Sequence, residues 1–170
     1  KKRDFLGILQ EKYLNACSDK NITFKYRLLI SYSNIPIKEI EVKLLNNRLI
    51  AITGAGSGNG KALAHGLADY GAKIIALDIN IDSASTTATK ICENGGNAWS
   101  YQLDITNSVA CKEVAAKIST DLRAIDVLIN NAGIIRRNSI DDEDACQAWQ
   151  DCIDVNATGA FNMAIAFANQ

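Results

Sequence analysis

Three short runs in this chain are apolar with no polar residue at every second place: RLIAIT (48–53), KIIALD (73–78) and DVLIN (126–130). A strand with one face in water alternates apolar and polar residues, whereas a strand buried on both faces does not. Segments with helical spacing lie between these runs. An alanine-rich one reaches Tyr70 and is stopped by Gly71, and a second runs from Asp82 to Asn94 and is closed by Gly95 and Gly96. NAWSYQLD (97–104) reads as a further strand, followed by a helix over Asn107–Leu122 with Val109, Val114, Ala115 and Ile118 inside. From Asp144 a long helix carries Trp149, Ile153, Phe161, Ile165 and Ala168. Strand–helix alternation from Arg48 onward predicts the α/β class, a doubly wound parallel sheet with helices on both faces.

The chain has 170 residues, 48% of them apolar and 22% charged, which suits one compact domain with a core of its own. Residues 48–170 form that domain, and residues 1–47 read as an N-terminal extension of different character. Within the extension Phe5, Leu6, Leu9, Tyr13 and Leu14 recur at helical spacing. Ile22, Phe24, Tyr26, Leu28, Ile30 and Tyr32 then alternate as in a half-buried strand, until Pro36 interrupts. The extension contains no chemical motif. Residues 1–48 carry ten Lys/Arg against five Asp/Glu, and the remainder eight against fourteen. The basic charges are scattered and the rest of the chain is acidic, so no nucleic-acid partner is expected.

No apolar run approaches the roughly 18 residues that span a bilayer. The opening KKRDFLGIL is too short and too broken by Asp4 for a signal peptide, so a cytoplasmic protein without a membrane partner is expected. Five cysteines, odd in number and nowhere spaced C-x-x-C, suggest free thiols rather than disulfides or a metal site. The only methionine is Met163 and the chain stops at Gln170 within a helical pattern, so both ends are expected to be cuts from a longer protein.

Glycine stands at positions 54, 56, 58 and 60, between the first buried strand and its helix. At that junction the backbone must turn sharply and then present free N–H groups and the positive end of a helix dipole, a setting that suits an anion. Glycine supplies positive φ and lets a phosphate approach the main chain. The pattern G-x-G-x-x-G fails, because Asn59 and Lys61 stand where glycine is needed, and G-x-x-x-x-G-K-[ST] fails at Asn59 as well. T-G-x-x-x-G-x-G fits, as Thr53, Gly54, Gly58 and Gly60, with Gly56 a small residue at a tolerant position.

This pattern resembles the short-chain dehydrogenase/reductase family, and four further features fall in the family's order. Asp78 ends the second strand, Asp104 follows the third, Asn130-Asn131-Ala132-Gly133 closes the fourth, and VNATG places Asn156 in the long helix. The resemblance covers about Arg48 to Gln170 and implies a Rossmann-type domain that binds NAD or NADP and is incomplete. It implies that Gly54, Ser57, Gly58, Asn59 and Gly60 line the cofactor diphosphate, with the Ser57 hydroxyl as a donor. Asp78 would accept from the adenosine ribose, with Ile79 beside it. A carboxylate there repels a 2′-phosphate, and no Arg or Lys occupies positions 55–59, 79 or 80, so NAD is favoured over NADP. Asp104 would bond the adenine amino group and Ile105 touch the ring edge. Asn131, Ala132 and Gly133 would pack beside the adenosine ribose, with Asn130 steadying the sheet. Asn156 matches a catalytic asparagine that interrupts helix bonding and holds a water in a proton relay. Asn59 departs from the family, which usually has an apolar residue there, and His65 reads as a surface residue without a catalytic part.

The family's reaction, hydride transfer between a secondary alcohol and a ketone, uses a serine and a Tyr-x-x-x-Lys in which lysine lowers the phenol's pKa. None of the five tyrosines has Lys four residues on, and Ser139 lies in the loop after the fourth strand. The chain is therefore expected to carry the adenosine-binding half plus Asn156 and to be inactive alone. The alternative is a dinucleotide-binding relative without chemistry. NNAGIIRR (130–137) resembles dehydrogenases of sugar acids and polyols, with 3-oxoacyl carrier-protein reductases close in overall pattern. Arg136 and Arg137 would meet a substrate carboxylate or stand in a solvated loop. A homo-oligomer is the family's habit.

Overall fold

The computed structural model describes residues 45–168. The helix expected over Phe5–Leu14 and the strand expected over Ile22–Tyr32 lie outside the described residues. Strand β1, Leu49–Thr53, leads into helix α1, Gly58–Asp69, and β2, Lys73–Asp78, into α2, Ile81–Glu93. Strand β3, Asn97–Gln102, leads into α3, Ser108–Asp121, and β4 is Val127–Ile129. The expected long helix is two helices, α4 (Ala145–Ile153) and α5 (Ala160–Phe167), joined through a π-helical turn over Asp154–Gly159.

The strands among the described residues pair in parallel, in the order β3-β2-β1-β4. The chain steps outward from β1 to β2 to β3, and α3 then returns it to the other side of β1. Thus β1 is the point at which the winding reverses, and the crevice at its carboxyl end is where open α/β sheets receive ligands.

Successive strand residues point to opposite faces, and here both faces are covered. Leu49, Ala51, Ile75 and Leu77 pack with Cys111, Ala115 and Ile118 of α3 and Met163 and Phe167 of α5. Ile50, Ile52, Ile74 and Ala76 pack on the other side with Ala64 and Ala68 of α1 and Ala84 and Ile91 of α2. This double coverage is the physical reason for the unbroken apolar runs of β1 and β2, whereas β4, at the edge, is partly exposed, with Val127 in water. Each buried Leu or Ile contributes about 1.5–3 kcal/mol of burial, so a polar residue in place of Leu49, Ile50 or Ile52 would be strongly destabilising.

The apolar helix positions divide less simply. In α3 the buried face is Cys111, Ala115 and Ile118, at spacings of four and three, while Val109 is 63% exposed instead of inside. Val109 lies two residues, about 200° of helix rotation, from Cys111, so its phase and not its apolarity decides. Asn107 caps this helix by accepting from Val109 N and Ala110 N. Trp149, Phe161 and Ile165 are likewise exposed, and β4 has no strand on its outer side among the described residues. No helix among the described residues is long and apolar enough to cross a membrane.

At the amino end of the sheet Asp126 joins the starts of β1 and β4. Its carboxylate accepts from Leu49 N at 2.7 Å and from Arg48 at 3.0 Å, and Arg123 reaches the same group. The Arg123 guanidinium, the Leu49 N–H and then Arg48 hold its pKa well below the ordinary 3.8. Depression of a carboxylate contributes stability that is present above the unfolded pKa and lost as pH falls toward the folded one. Asp126→Asn is expected to cost about 1 kcal/mol at neutral pH, because the arginines are solvent-screened. In urea titrations the gap between wild type and variant should narrow as pH drops from about 4 toward 2.

Candidate nucleotide site

The first residue of the site is the last of β1. Thr53 is buried, and its hydroxyl donates to Ile129 O at 3.4 Å while accepting from Asn131 N and Ala132 N, each at 3.0 Å. A hydroxyl has one proton and two lone pairs, and all three are used. Thr53 therefore stitches the end of β1 to the segment leaving β4. This role has no pattern in the sequence beyond the threonine itself. The Asn131 amide adds a second stitch by donating to Thr53 O at 2.9 Å. Asn130, expected to steady the sheet, points the other way and donates to Ala160 O at 3.3 Å, at the start of α5.

The turn itself is crowded on its inner side and open on its outer side. Gly54 has φ of +67°, and a Cβ there would stand 3.0 Å from Ala132 Cα. At Gly60 a Cβ would come within 2.2 Å of Gly54 O, so α1 sits directly on the turn. Gly58, with φ of +51°, has nothing within 4 Å of the place of a Cβ. Ser57 caps the start of α1 without a side-chain capping bond, so its hydroxyl is not committed to the helix, and Asn59 beside it is exposed. The first N–H groups of a helix lack intrahelical acceptors. Free donors, an open glycine and no acidic residue in the first turn make a cradle that fits a diphosphate.

The other expected residues gather at the same end of the sheet. Asp78 accepts from Gly56 N at 2.8 Å and from Asn80 N at 3.0 Å, which fixes its carboxylate beside the turn. Ile79 is 64% exposed next to it. Asp104 accepts from Thr106 N and the Thr106 hydroxyl at 2.9 and 2.7 Å. Ile105 differs from expectation: its side chain lies in the core against Gly159, where a Cβ would be 2.6 Å from it, and not at the surface. Gly133 is exposed, and a Cβ there would be 3.1 Å from Asn156 Oδ1.

Asn156 sits within the π turn, a form that recurs at functional sites. Its Oδ1 accepts from Ile134 N at 2.8 Å and its Nδ2 donates to Ile134 O at 2.9 Å. The side chain is thereby clamped to the segment after β4. Arg136 forms an ion pair with Asp151 at 3.3 Å, beside a cleft of about 290 Å³ that Thr106, Ile134 and Asp154 also line.

Two titrating groups face away from proton transfer. Burial and then Asp121 raise the Tyr101 phenol, the opposite of what a general acid near neutrality needs. Burial, with Asp104 adding, also raises the Cys111 thiol, so it is an inert core residue. No cluster of His, Cys, Asp or Glu able to hold a metal occurs among the described residues.

Residues 48–170 match the sequence profile described as short chain dehydrogenase. The 2,3-dihydro-2,3-dihydroxybenzoate dehydrogenase of Bacillus subtilis is 33% identical over 126 residues, 72% of this chain and 47% of that protein. Among solved structures, a gluconate 5-dehydrogenase from Burkholderia cenocepacia in complex with NADP and tartrate is 35% identical. It superposes with a TM-score of 0.69, over 76% of this chain and 50% of its own. An NAD+-bound xylitol dehydrogenase is 30% identical with a TM-score of 0.70, over 75% and 49%. The chain thus spans about half the length of the relatives it matches. With a Rossmann-type sheet, a glycine turn at its switch point and a match over residues 48–170, the chain belongs to the short-chain dehydrogenase family.

Proposed function

We propose that the whole protein is an NAD-dependent oxidoreductase interconverting a secondary alcohol and a ketone by hydride transfer, with residues 48–170 as part of its dinucleotide-binding domain. The observation that carries this reading is the juxtaposition of the Thr53–Gly60 turn with the carboxylate of Asp78. When bound, the nicotinamide supplies the hydride acceptor or donor. The chain's own residues bind and orient. Gly54, Ser57, Gly58, Asn59 and Gly60 hold the diphosphate through N–H groups and the Ser57 hydroxyl. Asp78 accepts from the ribose hydroxyls and excludes a 2′-phosphate by charge, with Ile79 alongside. Asp104 bounds the adenine, and Asn131, Ala132 and Gly133 the ribose. Asn156, its amide committed to Ile134, offers main chain to the water of a proton relay.

The substrate class is a small polyol or sugar acid, in keeping with the NNAGIIRR segment and with the gluconate and xylitol enzymes among the relatives. A 3-oxoacyl thioester is the less favoured substrate. Because Arg136 is paired with Asp151, Arg137 is the better candidate for a substrate carboxylate. A second reading, binding without chemistry, is favoured for the residues present by one observation: no tyrosine here is followed by Lys four positions on.

Fluorescence titration of the chain with NADH and NADPH tests the proposal. NADH is expected to bind more tightly, and Asp78→Asn to narrow the difference by about tenfold, the equivalent of about 1.4 kcal/mol. Tighter binding of NADPH by the wild type, or binding of neither nucleotide, would overturn it.

A further inference from the structure

Gly56 stands at a place where the family pattern allows any residue, yet it is among the tightest in the turn. Its N–H donates to Asp78 Oδ2 at 2.8 Å. A Cβ on it would lie 2.8 Å from that same oxygen, 3.1 Å from Asp78 Cγ and 2.6 Å from Ser83 Cβ. Its φ is outside the left-handed region, so the requirement for glycine is clearance and not backbone conformation. The expectation of a tolerant position is therefore corrected, and the reason lies in residues distant in sequence.

Ser83 and Asp78 differ in how they can yield. Ser83 Cβ is fixed to the first turn of α2, which is anchored because Asn80 Oδ1 accepts from Ser83 N at 3.0 Å and Asn80 N donates to Asp78 Oδ1. The Asp78 carboxylate swings on two side-chain torsions. A side chain at position 56 is blocked by the helix on one side, so the carboxylate is the group that gives way, and it loses the Gly56 N–H as it moves. With Gly56 in place the two N–H groups aim one oxygen each, and the remaining lone pairs are left for outside donors.

We propose that Gly56 is a specificity-determining positioning residue: by leaving room for the Asp78 carboxylate and donating to it, it sets the choice between a nucleotide with a free ribose 2′-hydroxyl and one with a 2′-phosphate. The inference rests on the reading of Asp78 as the ribose acceptor. Gly56 touches no part of the nucleotide in this role, and acts through the carboxylate alone.

The test is a titration of the full chain and its variants with NADH and NADPH, with unfolding midpoints recorded alongside. Gly56→Ala is expected to weaken NADH about tenfold and NADPH less than twofold, so that the affinity ratio collapses as it does in Asp78→Asn. A purely structural role would weaken both nucleotides together. Should Gly56→Ala fail to fold, Gly56→Ala/Ser83→Gly removes the contact with α2 while keeping the one with the carboxylate, and the same collapse is expected. Equal loss of both nucleotides, or failure of both variants to fold, overturns the inference while Asp78→Asn still shifts the ratio. An unchanged ratio in Asp78→Asn instead overturns the reading of Asp78 itself.

Discussion

Gly60→Ala is expected to destabilise the fold by about 3 kcal/mol, although alanine is the better helix former by about 1 kcal/mol. The sign is decided by space. The new methyl would stand 2.2 Å from Gly54 O and 2.5 Å from Asn131 Nδ2, and the first of these is main chain held in a turn. Either α1 withdraws from the end of β1 or the turn opens, and both separate the donors that form the cradle. Gly66 supplies the control within the same helix, since nothing lies within 4 Å of its missing Cβ. Gly66→Ala should therefore stabilise by about 0.5–1 kcal/mol. Urea unfolding of the two variants measures the contrast. A small, equal effect of both substitutions would show that the close approach of α1 to the turn is not what Gly60 serves.

Thr53→Val is expected to cost about 2–4 kcal/mol despite nearly equal volume. Valine offers no acceptor, so Asn131 N–H and Ala132 N–H lose their partner at a position that is itself 1% exposed. An unsatisfied buried donor costs about 1–3 kcal/mol, and there are two. Thr53→Ser keeps the hydroxyl and should lose no more than about 1 kcal/mol, the share of one methyl group. Amide exchange separates this mechanism from simple loss of packing: in Thr53→Val the amides of Asn131 and Ala132 should exchange faster than those of β2. Unchanged exchange at those two residues would count against the stitch.

The parts of the fold legible in the sequence are those with a local cause. The run KIIALD coincides with β2 because both its faces are buried, and Asn107 announces α3 because a capping amide acts within three residues. The turn is legible for a similar reason, since Gly54 and Gly58 need conformations that glycine alone adopts readily. Features that depend on tertiary neighbours are hidden. Nothing near Gly56 in sequence shows that Ser83 will be its wall, nor does anything beside Ile105 show Gly159 closing over it. Asn130 and Asn131 are identical residues side by side just after β4, and only their tertiary partners tell them apart, Ala160 of α5 for one and Thr53 for the other. Val109 misleads when apolarity is weighed without phase.

The turn over Asp154–Gly159 has a bearing on chain length. A π turn spans five residues per hydrogen-bonded loop where an α turn spans four, so it holds one residue more than an uninterrupted helix would need. Removing that residue lets the segment close into an uninterrupted α-helix, with α4 and α5 each keeping the face they bury. What disappears is the bulge that turns Asn156 toward Ile134, and with it the pair of hydrogen bonds between them. A single-residue deletion is at this place expected to spare the packing of α5 and to cost the clamp on Asn156 alone.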